Sequence, residues 1–584
     1  MSGRFPGARN VDELWQILVT GRNAVEEIPL TRFDWREYYQ ASQKDPDTHA
    51  SPVGKTNSKW LGVIPGVEEF DPLFFEISPQ EATLMDPRQR LLLQESFKAL
   101  EDAGYGTQQL SAHKIGMFVG VEPGEYSQLI GAQGGEGSVT ANHDAILASR
   151  LSYFLNLRGP AMAINTACSS SLVAAHQACL SLRAEECNTA LAAGVNLMLT
   201  PQSYVAMSHA GMLSPDGKCY AFDQRANGMV PGEAVVAIVL KRLSHAEADG
   251  DRIYATIRGS GINYDGKTNG LTAPSGAAQS ELINDVYARA RIQATDIDYV
   301  ITHGTGTRLG DPVEINALRD AFKDSPQKEP FCALTSTKTN LGHTFAASGL
   351  VSLISLVQAL RHETIPASLH CEQLSEYIDW KNSPFYVNTQ NKAWPKNTEK
   401  HRYGAVSAFG MSGTNAHMVV ESYEPVDQSS STSITAPYYL LALSAKTPAA
   451  LQQRAKDLLE VLKDERRNWD GTALAALSYT LLNHRQHFNH RCAVVIEERE
   501  QAITLLEKHG RGETLPTLLK GKVAHDFTAQ PLQVEYADDL LGKLPKLPGD
   551  PHRYQQSLAA LGDLYCQGYQ LNWPSLFGTH TPQR

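Results

Sequence analysis

The chain has 584 residues, of which 42% are hydrophobic and 20% are charged, and its formal net charge is −11. This length predicts two or more domains, and the composition is that of a globular protein without collagenous or disordered bias. The negative charge argues against a nucleic-acid binder. The sequence contains no run of 18 or more apolar residues, so it predicts neither a membrane span nor a membrane partner. Eight scattered cysteines without a CxxC pair predict neither a disulfide framework nor a metal site. Without a signal-peptide pattern, we expect a cytoplasmic protein.

Apolar strands and amphipathic helices alternate through the first 425 residues, which predicts a layered α/β fold. Residues 30–70 show no clear period and predict a long surface loop. The predicted helices cover residues 11–19, 91–103, 144–155, 172–178, 279–294 and 346–361. The predicted strands cover residues 114–120, 161–164, 189–195, 235–240, 253–258, 299–302, 333–336 and 418–421.

A Ser- and Thr-rich stretch, residues 426–436, predicts a linker to a second and smaller α/β unit over 437–520. The predicted strands of this unit cover 438–444 and 491–497, and its predicted helices cover 447–464, 472–484 and 499–508. The remaining tail, 521–584, has weak periodicity, so we expect it to lie along the surface of the preceding domains.

Cys168 lies between the apolar run 161–164, which predicts a buried strand, and a helix that begins near Leu172. The unpaired N–H groups and the positive end of the helix dipole favour a thiolate at such a position. A free cysteine is nevertheless more often a small buried hydrophobe than a nucleophile. Cys168 alone therefore predicts a candidate site and does not establish one.

Three later motifs add polar residues at the ends of predicted strands. His303 begins His-Gly-Thr-Gly-Thr, Lys338 begins Lys-Thr-Asn-Leu-Gly-His, which ends at His343, and Phe409 begins Phe-Gly-Met-Ser-Gly-Thr-Asn-Ala-His, which ends at His417. Each has a simpler interpretation: an isolated histidine is often structural, and Lys338 could be a surface charge. The glycine-rich part of the last motif could cradle a phosphate, but it lacks the Lys-Ser/Thr ending of a P-loop. We expect His417 to be structural.

Together with Thr-Ala-Cys-Ser-Ser-Ser at 166–171, these motifs resemble those of the β-ketoacyl synthases, in particular the ketosynthase domains of modular polyketide synthases. The resemblance covers essentially the whole chain. It implies a thiolase-like condensing domain with αβαβα layers over 1–425, followed by a small α/β ketosynthase-to-acyltransferase linker subdomain and a tail that wraps back. No acyltransferase or carrier-protein motif is present, which implies the group whose acyltransferase acts in trans.

The resemblance implies polyketide elongation by decarboxylative Claisen condensation between an acyl thioester on a cysteine and a malonyl or substituted malonyl unit on an acyl carrier protein. Cys168 would be the nucleophile, because a thiolate both attacks and leaves well. His303 and His343 would stabilise the enolate oxygen through their Nε2–H groups, and His303 would assist decarboxylation. Lys338 would support both histidines electrostatically.

The remaining expectations concern substrate binding and partners. The backbone N–H groups of Cys168 and Met411 would form an oxyanion hole for acylation. Thr305 and Thr307 would hold the phosphopantetheine arm, and Phe409 and Met411 would line the substrate site. The resemblance implies no permanently bound cofactor, because upstream and downstream acyl carrier proteins supply the arm. A trans-acting acyltransferase would take part indirectly, and we expect a homodimer.

Several alternatives stay open at this point. A ketosynthase within a chain-branching module and a transfer-only, non-elongating ketosynthase would share these motifs, although the latter typically lacks the cysteine or the first histidine. Thiolase-like cleavage with coenzyme A would require a second cysteine near Phe409, and none is there. Members of the family carry an apolar strand ahead of the Met-Ser-Gly-Arg-Phe-Pro-Gly stretch, and we expect one to precede Met1.

Overall fold

The computed structural model describes the chain except for short segments. The segments left out are 42–52, 107–109, 111–112, 136–137, 324–328, 382, 397–400, 425–435, 466, 512, 514–516, 547–548 and 579–584. The predicted linker, 426–436, therefore lies outside the described residues, except for residue 436. The chain divides into two compact units. Unit 1 comprises Met1–Ala99, Lys114–Leu243 and Ile253–Glu424, and unit 2 comprises Leu100–His113, Ser244–Arg252 and Pro425–Arg584.

Unit 1 is built on two main sheets. Its strands are β1 (Ser2–Arg4), β2 (Val25–Glu27), β3 (Trp60–Gly62), β4 (Ile115–Gly120), β5 (Ala161–Ile164), β6 (Thr189–Asn196), β7 (Ala234–Lys241), β8 (Ala255–Tyr264), β9 (Ile297–Ile301), β10 (Cys332–Thr335), β11 (Thr364–Ile365), β12 (Phe385–Val387), β13 (Lys392–Ala393), β14 (Tyr403–Phe409) and β15 (Thr414–Ser422). The first sheet has the order β1-β7-β6-β4-β5, and the second has the order β12-β10-β9-β14-β15-β8. Two short pairs, β2 with β3 and β11 with β13, complete the set.

Two central helices pack between the main sheets. The α-helices before residue 425 are Val11–Val19, Pro79–Leu84, Pro87–Asp102, Tyr126–Ala132, Val139–Asn142, Asp144–Phe154, Ser170–Arg183, Pro201–His209, Leu243–Ala248, Gly276–Ala290, Gly310–Ala321, Lys338–Leu341 and Ser348–Arg361. Short 3₁₀ turns occur at Trp35–Glu37, Ala294–Asp296 and Phe345–Ala347. Ser348–Arg361 packs on β7 and β14, one strand from each main sheet, and against Ser170–Arg183, which itself packs on β4, β6 and β8.

The position of Ser348–Arg361 follows from its sequence. It is apolar on nearly every side, and all its residues from Ser348 to Leu360 are buried. A helix that is hydrophobic all round is stable only when it is enclosed. Helix Gly276–Ala290 covers β8 and β15, and Asp144–Phe154 covers β4 and β5. The result is the predicted order of helix, sheet, helix, sheet and helix layers.

The predicted elements of unit 1 are confirmed with shifts of a few residues at their ends, and three differences stand out. The run Ala161–Ile164 is a strand, but it lies at the edge of its sheet. Its first two residues are exposed and its last two are half-buried, so the prediction of a buried strand is wrong for the single chain. Two short strands, β2 and β3, lie within or next to the region predicted as loop. Strand β14 was not predicted, because glycine, serine and alanine dilute its apolar pattern.

Unit 2 contains an antiparallel sheet of β16 (Tyr439–Ala445), β17 (His490–Ile496) and β18 (Leu518–Lys522). Its helices are Pro448–Lys463, Gly471–Asn483, Arg499–Gly510, Pro531–Lys543 and Pro551–Gln567, with 3₁₀ turns at Leu544–Lys546 and Trp573–Phe577. Strand β18 crosses the predicted boundary at 520/521. Helix Pro551–Gln567 packs on β17 and β18 and contributes buried residues to the core, so the tail is not the surface segment that was predicted.

No helix among the described residues of either unit is long and apolar enough to cross a membrane.

Candidate active site

A tight turn joins β5 to the helix that carries the residues after Cys168. Ala167 has φ of 56°, in the left-handed region that a side chain rarely adopts. Asn165 stabilises this conformation, because its Oδ1 accepts the Ala167 N–H at 3.1 Å. The Ser170 hydroxyl accepts the Thr166 N–H at 2.8 Å and donates to the Ala167 carbonyl at 2.6 Å. Cys168 therefore lies at the predicted strand-to-helix turn.

The Cys168 thiol is enclosed by apolar side chains and is only 6% exposed. Its cluster includes Met198, Met229 and Phe345. Burial raises the pKa of the Cys168 thiol to about 12, and the charge of Glu122 acts in the same direction. The backbone N–H groups of Met411 and of Cys168 itself hydrogen-bond the sulfur and oppose this rise in pKa. The N–H groups therefore act in the predicted direction, towards the thiolate, but burial outweighs them.

His303 and His343 meet edge to face, with 5.5 Å between ring centroids and 84° between ring planes. His343 Nδ1 accepts the Phe345 N–H at 3.2 Å, which leaves the proton on Nε2. That Nε2 is buried and has no hydrogen-bond partner among the described residues, and the same holds for His303 Nδ1. Burial, followed by the charge of Lys338, lowers the pKa of both histidines well below the usual value, so both rings are neutral near pH 7.

Lys338 is buried behind His303, and its ammonium group donates to the His303 carbonyl. The Glu314 carboxylate accepts the N–H groups of His303 at 2.7 Å and of Gly304 at 2.8 Å. Burial lowers the pKa of Lys338, and the charge of Glu314 opposes that shift. Burial also raises the pKa of Glu314 to about 7. Lys338 and Glu314 together fix the backbone that presents the His303 ring.

Sequence reasoning missed two carboxyl groups in this network, Glu314 and Asp311. Asp311 accepts the N–H groups of Phe222 at 2.9 Å and of Gly306 at 3.2 Å, and burial raises its pKa to about 6. Both lie in the first turns of helix Gly310–Ala321. The spacing of these two residues could have indicated them. Asp311 and Glu314 are three residues apart, so they share one face of the helix that starts shortly after the His303 motif.

The two predicted pantetheine-binding threonines follow His303 in the same loop. Thr305 and Thr307 are half-buried, and their hydroxyl oxygens lie 3.1 Å apart. The Thr307 hydroxyl also accepts the Gly310 N–H at 3.2 Å, which ties the loop to the start of the next helix. Their role in binding the arm stays a prediction.

The β14–β15 hairpin brings Phe409 and Met411 to the site. The Phe409 ring centroid lies 5.8 Å from that of His303, whereas the Met411 side chain is 51% exposed. Gly410 between them has no room for a side chain, because a Cβ atom there would lie 2.3 Å from the Thr166 carbonyl oxygen. This close approach places the Met411 N–H next to the Cys168 sulfur. His417, in contrast, is buried in β15 against the Ser407 hydroxyl.

In the described part of the chain, no group of three or more His, Cys, Asp or Glu residues could hold a metal ion.

Comparisons with known proteins agree with this geometry. Residues 1–246 match the β-ketoacyl synthase N-terminal domain, 254–372 match the β-ketoacyl synthase C-terminal domain, and 439–506 match the CurL-like PKS C-terminal family. Polyketide synthase ThaG of Burkholderia thailandensis is 47% identical over 97% of this chain, and polyketide synthase PksL of Bacillus subtilis is 41% identical over 100%. The chain spans only 10% and 12% of these two relatives.

Two solved structures match along nearly their full length. The ketosynthase from module 6 of the bacillaene synthase of Bacillus subtilis 168 is 40% identical, covers 100% of this chain and is 96% covered by it, with a TM-score of 0.84. The ketosynthase domain OzmH KS7 of Streptomyces albus JA3453 is 35% identical, with coverage of 96% and 92% and a TM-score of 0.84. The thiolase-like fold expected from the motifs is confirmed. The chain therefore belongs to the β-ketoacyl synthases and is a ketosynthase domain of the polyketide synthase type.

Proposed function

We propose that this chain elongates a polyketide by decarboxylative Claisen condensation between an acyl group on Cys168 and a malonyl or substituted malonyl unit on an acyl carrier protein. The observation that carries the proposal is the pair of neutral imidazoles, His303 and His343, with a buried and unpartnered His343 Nε2–H. A neutral donor in a dry site stabilises negative charge that appears only during the reaction.

The first step would load the enzyme. The Cys168 sulfur attacks the acyl thioester carbonyl and loses its proton, and the pantetheine thiol of the upstream carrier protein leaves. The carbonyl oxygen becomes negative in the tetrahedral intermediate, and the N–H groups of Cys168 and Met411, which already point to the sulfur, would hold it. Burial raises the pKa of this thiol, so deprotonation would accompany the attack.

The second step would form the carbon–carbon bond. The malonyl thioester loses carbon dioxide, the electron pair of the broken bond gives an enolate, and the enolate carbon attacks the acyl carbonyl on Cys168. The enolate oxygen would accept hydrogen bonds from His303 and His343. The carbon–sulfur bond then breaks, and the Cys168 sulfur takes up a proton from solvent, which the loss of carbon dioxide from the malonyl carboxylate requires. Lys338 and Glu314 would act as positioning residues, because they hold the backbone of His303 rather than the reacting atoms.

The substrates would arrive on phosphopantetheine arms of upstream and downstream acyl carrier proteins, with Thr305 and Thr307 as hydrogen-bond partners and Phe409 and Met411 as lining. A trans-acting acyltransferase would load the malonyl unit, and no cofactor would be held permanently. We also propose a homodimer in the cytoplasm. Strand β5 supports the dimer, since it is an exposed sheet edge, and unpaired edges are templates for a second chain.

Intact-protein mass spectrometry tests the proposal directly. The chain is incubated with an acyl pantetheine thioester, and malonyl-loaded carrier protein is then added. We expect an acyl adduct on the wild type, its loss in Cys168→Ala, and its discharge to a product two carbons longer. Cys219→Ala is a matched control, because Cys219 is also a buried thiol of the same cluster but follows no strand-to-helix turn.

The same experiment separates the remaining alternatives. An adduct that malonyl carrier protein never converts to extended product would identify a transfer-only ketosynthase. Extension followed by modification at the β-carbon only when further domains are added would indicate a chain-branching module. No adduct on the wild type would contradict the catalytic proposal.

A further inference from the structure

The loop that follows β4 carries a carboxyl group that the proposed mechanism does not use. Glu122 follows β4, whose parallel neighbour β5 leads to Cys168. The two chain segments stay in contact past the end of β4, since the Val121 N–H donates to the Ile164 carbonyl at 2.9 Å. The charge of Glu122 raises the pKa of the Cys168 thiol, which places the carboxyl group within electrostatic range of the sulfur.

Glu122 differs from Glu125, the other glutamate of the same loop. Glu125 is fully engaged: it accepts the N–H groups of Leu199 at 2.7 Å and Thr200 at 2.9 Å, and the Ser203 hydroxyl donates to it as well. Glu122 Oε1 is buried and has no hydrogen-bond partner among the described residues. Burial alone raises the pKa of Glu122 to about 7, because no neighbour compensates. A buried carboxyl oxygen without a partner costs stability, so its presence needs a functional reason.

The location of Glu122 indicates which substrate it would meet. It approaches the sulfur from the first sheet, whereas His303, Lys338 and Phe409 follow strands of the second sheet. The second sheet supplies the groups proposed for the malonyl unit. Buried hydrophobic side chains, among them Met198, Met229 and Phe345, pack in one cluster with Cys168, and such side chains suit an acyl chain. An acyl chain that leaves Cys168 on the side of the first sheet would therefore approach the loop that carries Glu122.

We infer that Glu122 is a specificity residue that hydrogen-bonds a hydroxyl group near the thioester end of the acyl chain on Cys168. A hydroxyl group can pair with either form of the carboxyl. Its oxygen accepts a hydrogen bond from the protonated acid, and its O–H donates one to the carboxylate. The enzyme would thus discriminate against a fully reduced chain, which leaves the buried carboxyl unpaired. The inference rests on the proposed loading of Cys168.

The test compares the loading rates of two thioesters that differ by one hydroxyl group, 3-hydroxybutanoyl-pantetheine and butanoyl-pantetheine, by intact-protein mass spectrometry. One buried hydrogen bond predicts about tenfold faster loading of the hydroxylated chain by the wild type. Glu122→Leu is expected to bring the ratio to about one, whereas Glu122→Gln, which keeps a donor and an acceptor, retains most of it. Glu125→Gln is the control, because its carboxyl is already satisfied by the protein, and it is expected to leave the ratio unchanged.

Equal loading of both thioesters by the wild type would overturn the inference, and so would a Glu122→Leu variant that keeps the wild-type ratio. Folding of Glu122→Leu is checked by its loading with butanoyl-pantetheine, which the lost hydrogen bond does not affect. If the wild type loads with neither thioester, the proposed function fails, and the inference fails with it.

Discussion

Unit 1 contains two turns that resemble each other in backbone and differ in chemistry. One precedes the central helix Ser170–Arg183 and carries Cys168, and the other precedes the central helix Ser348–Arg361 and carries His343. Each includes a residue with positive φ, Ala167 at 56° and Phe345 at 44°. The first turn is held by side chains, Asn165 and Ser170, as described above. The second has the same kind of side-chain bond, to His343 Nδ1, and is held in addition by backbone hydrogen bonds, from the His343 N–H to the Val230 carbonyl at 2.6 Å and from the Gly232 N–H to the His343 carbonyl at 2.8 Å.

The difference shows how one enclosed site can hold groups with distinct tasks. At the histidine turn, Nδ1 is occupied by the Phe345 N–H, so the free Nε2–H is a fixed donor. At the cysteine turn, two backbone N–H groups hydrogen-bond the sulfur, and hydrophobic side chains pack in the same cluster. The histidine side therefore offers a fixed donor for negative charge, and the cysteine side offers two N–H groups and an apolar enclosure for the acyl chain.

The sharpest test of this contrast is His343→Ala. Removing one oxyanion donor is expected to slow condensation about 10²- to 10³-fold while Cys168 still loads, because the loading step uses other N–H groups. Single-turnover mass spectrometry of adduct formation and adduct discharge measures the two steps separately. His417→Gln, which alters another buried histidine, is the control. If loading and discharge slowed equally, the two turns would not have separate roles.

Glu314→Gln tests whether the histidine side depends on its positioning residues. An amide has a single acceptor oxygen, so one of the N–H groups of His303 and Gly304 loses its partner in a buried site. We expect the free energy of unfolding to fall by about 1–3 kcal/mol, and the condensation rate to fall about tenfold. Urea unfolding and the discharge assay measure these effects. Glu281→Gln, an exposed substitution on helix Gly276–Ala290, should change neither quantity, and an unchanged Glu314→Gln variant would contradict the positioning role.

The prediction with the smallest expected effect on activity concerns His417, which lies outside both turns and affects stability alone. Burial lowers the pKa of His417 to about 3, below the ordinary value near 6.5. Below pH 6.5 the unfolded chain binds a proton there that the folded chain does not, so the stability contributed by the neutral ring is lost as the pH falls towards 3. The slope is about 1.4 kcal/mol per pH unit.

Glutamine does not titrate, so the stability of His417→Gln lacks this contribution to the pH dependence. The difference in free energy of unfolding between wild type and variant should be constant above pH 6.5 and should shrink at lower pH. Denaturant unfolding at several pH values measures the difference. A pH-independent difference would mean that His417 is not held neutral.

Patterns that are local in sequence could be predicted, and properties that depend on the whole fold could not. Helix Val11–Val19 has its predicted ends because its apolar spacing and the Asn10 cap lie within ten residues. The Cys168 turn was recognised from its motif, and its thiol pKa was not, since burial comes from distant residues such as Met198. Likewise, Glu314 acts on N–H groups in the preceding loop, and the exposure of Ala161–Ile164 depends on which strand ends the sheet.

The enclosure of Ser348–Arg361 between the two main sheets has a consequence for synthesis in the cell. The first sheet has all its strands once Lys241 has been added, and Ser170–Arg183 then already covers β4 and β6, yet the helix that packs on β7 ends about 120 residues later. At roughly 5–20 residues per second, the ribosome leaves the apolar inner face of β7 without this helix for about 6–24 seconds. During this interval the nascent chain presents a surface that general chaperones bind, and a ribosome that pauses between residues 241 and 361 extends that exposure.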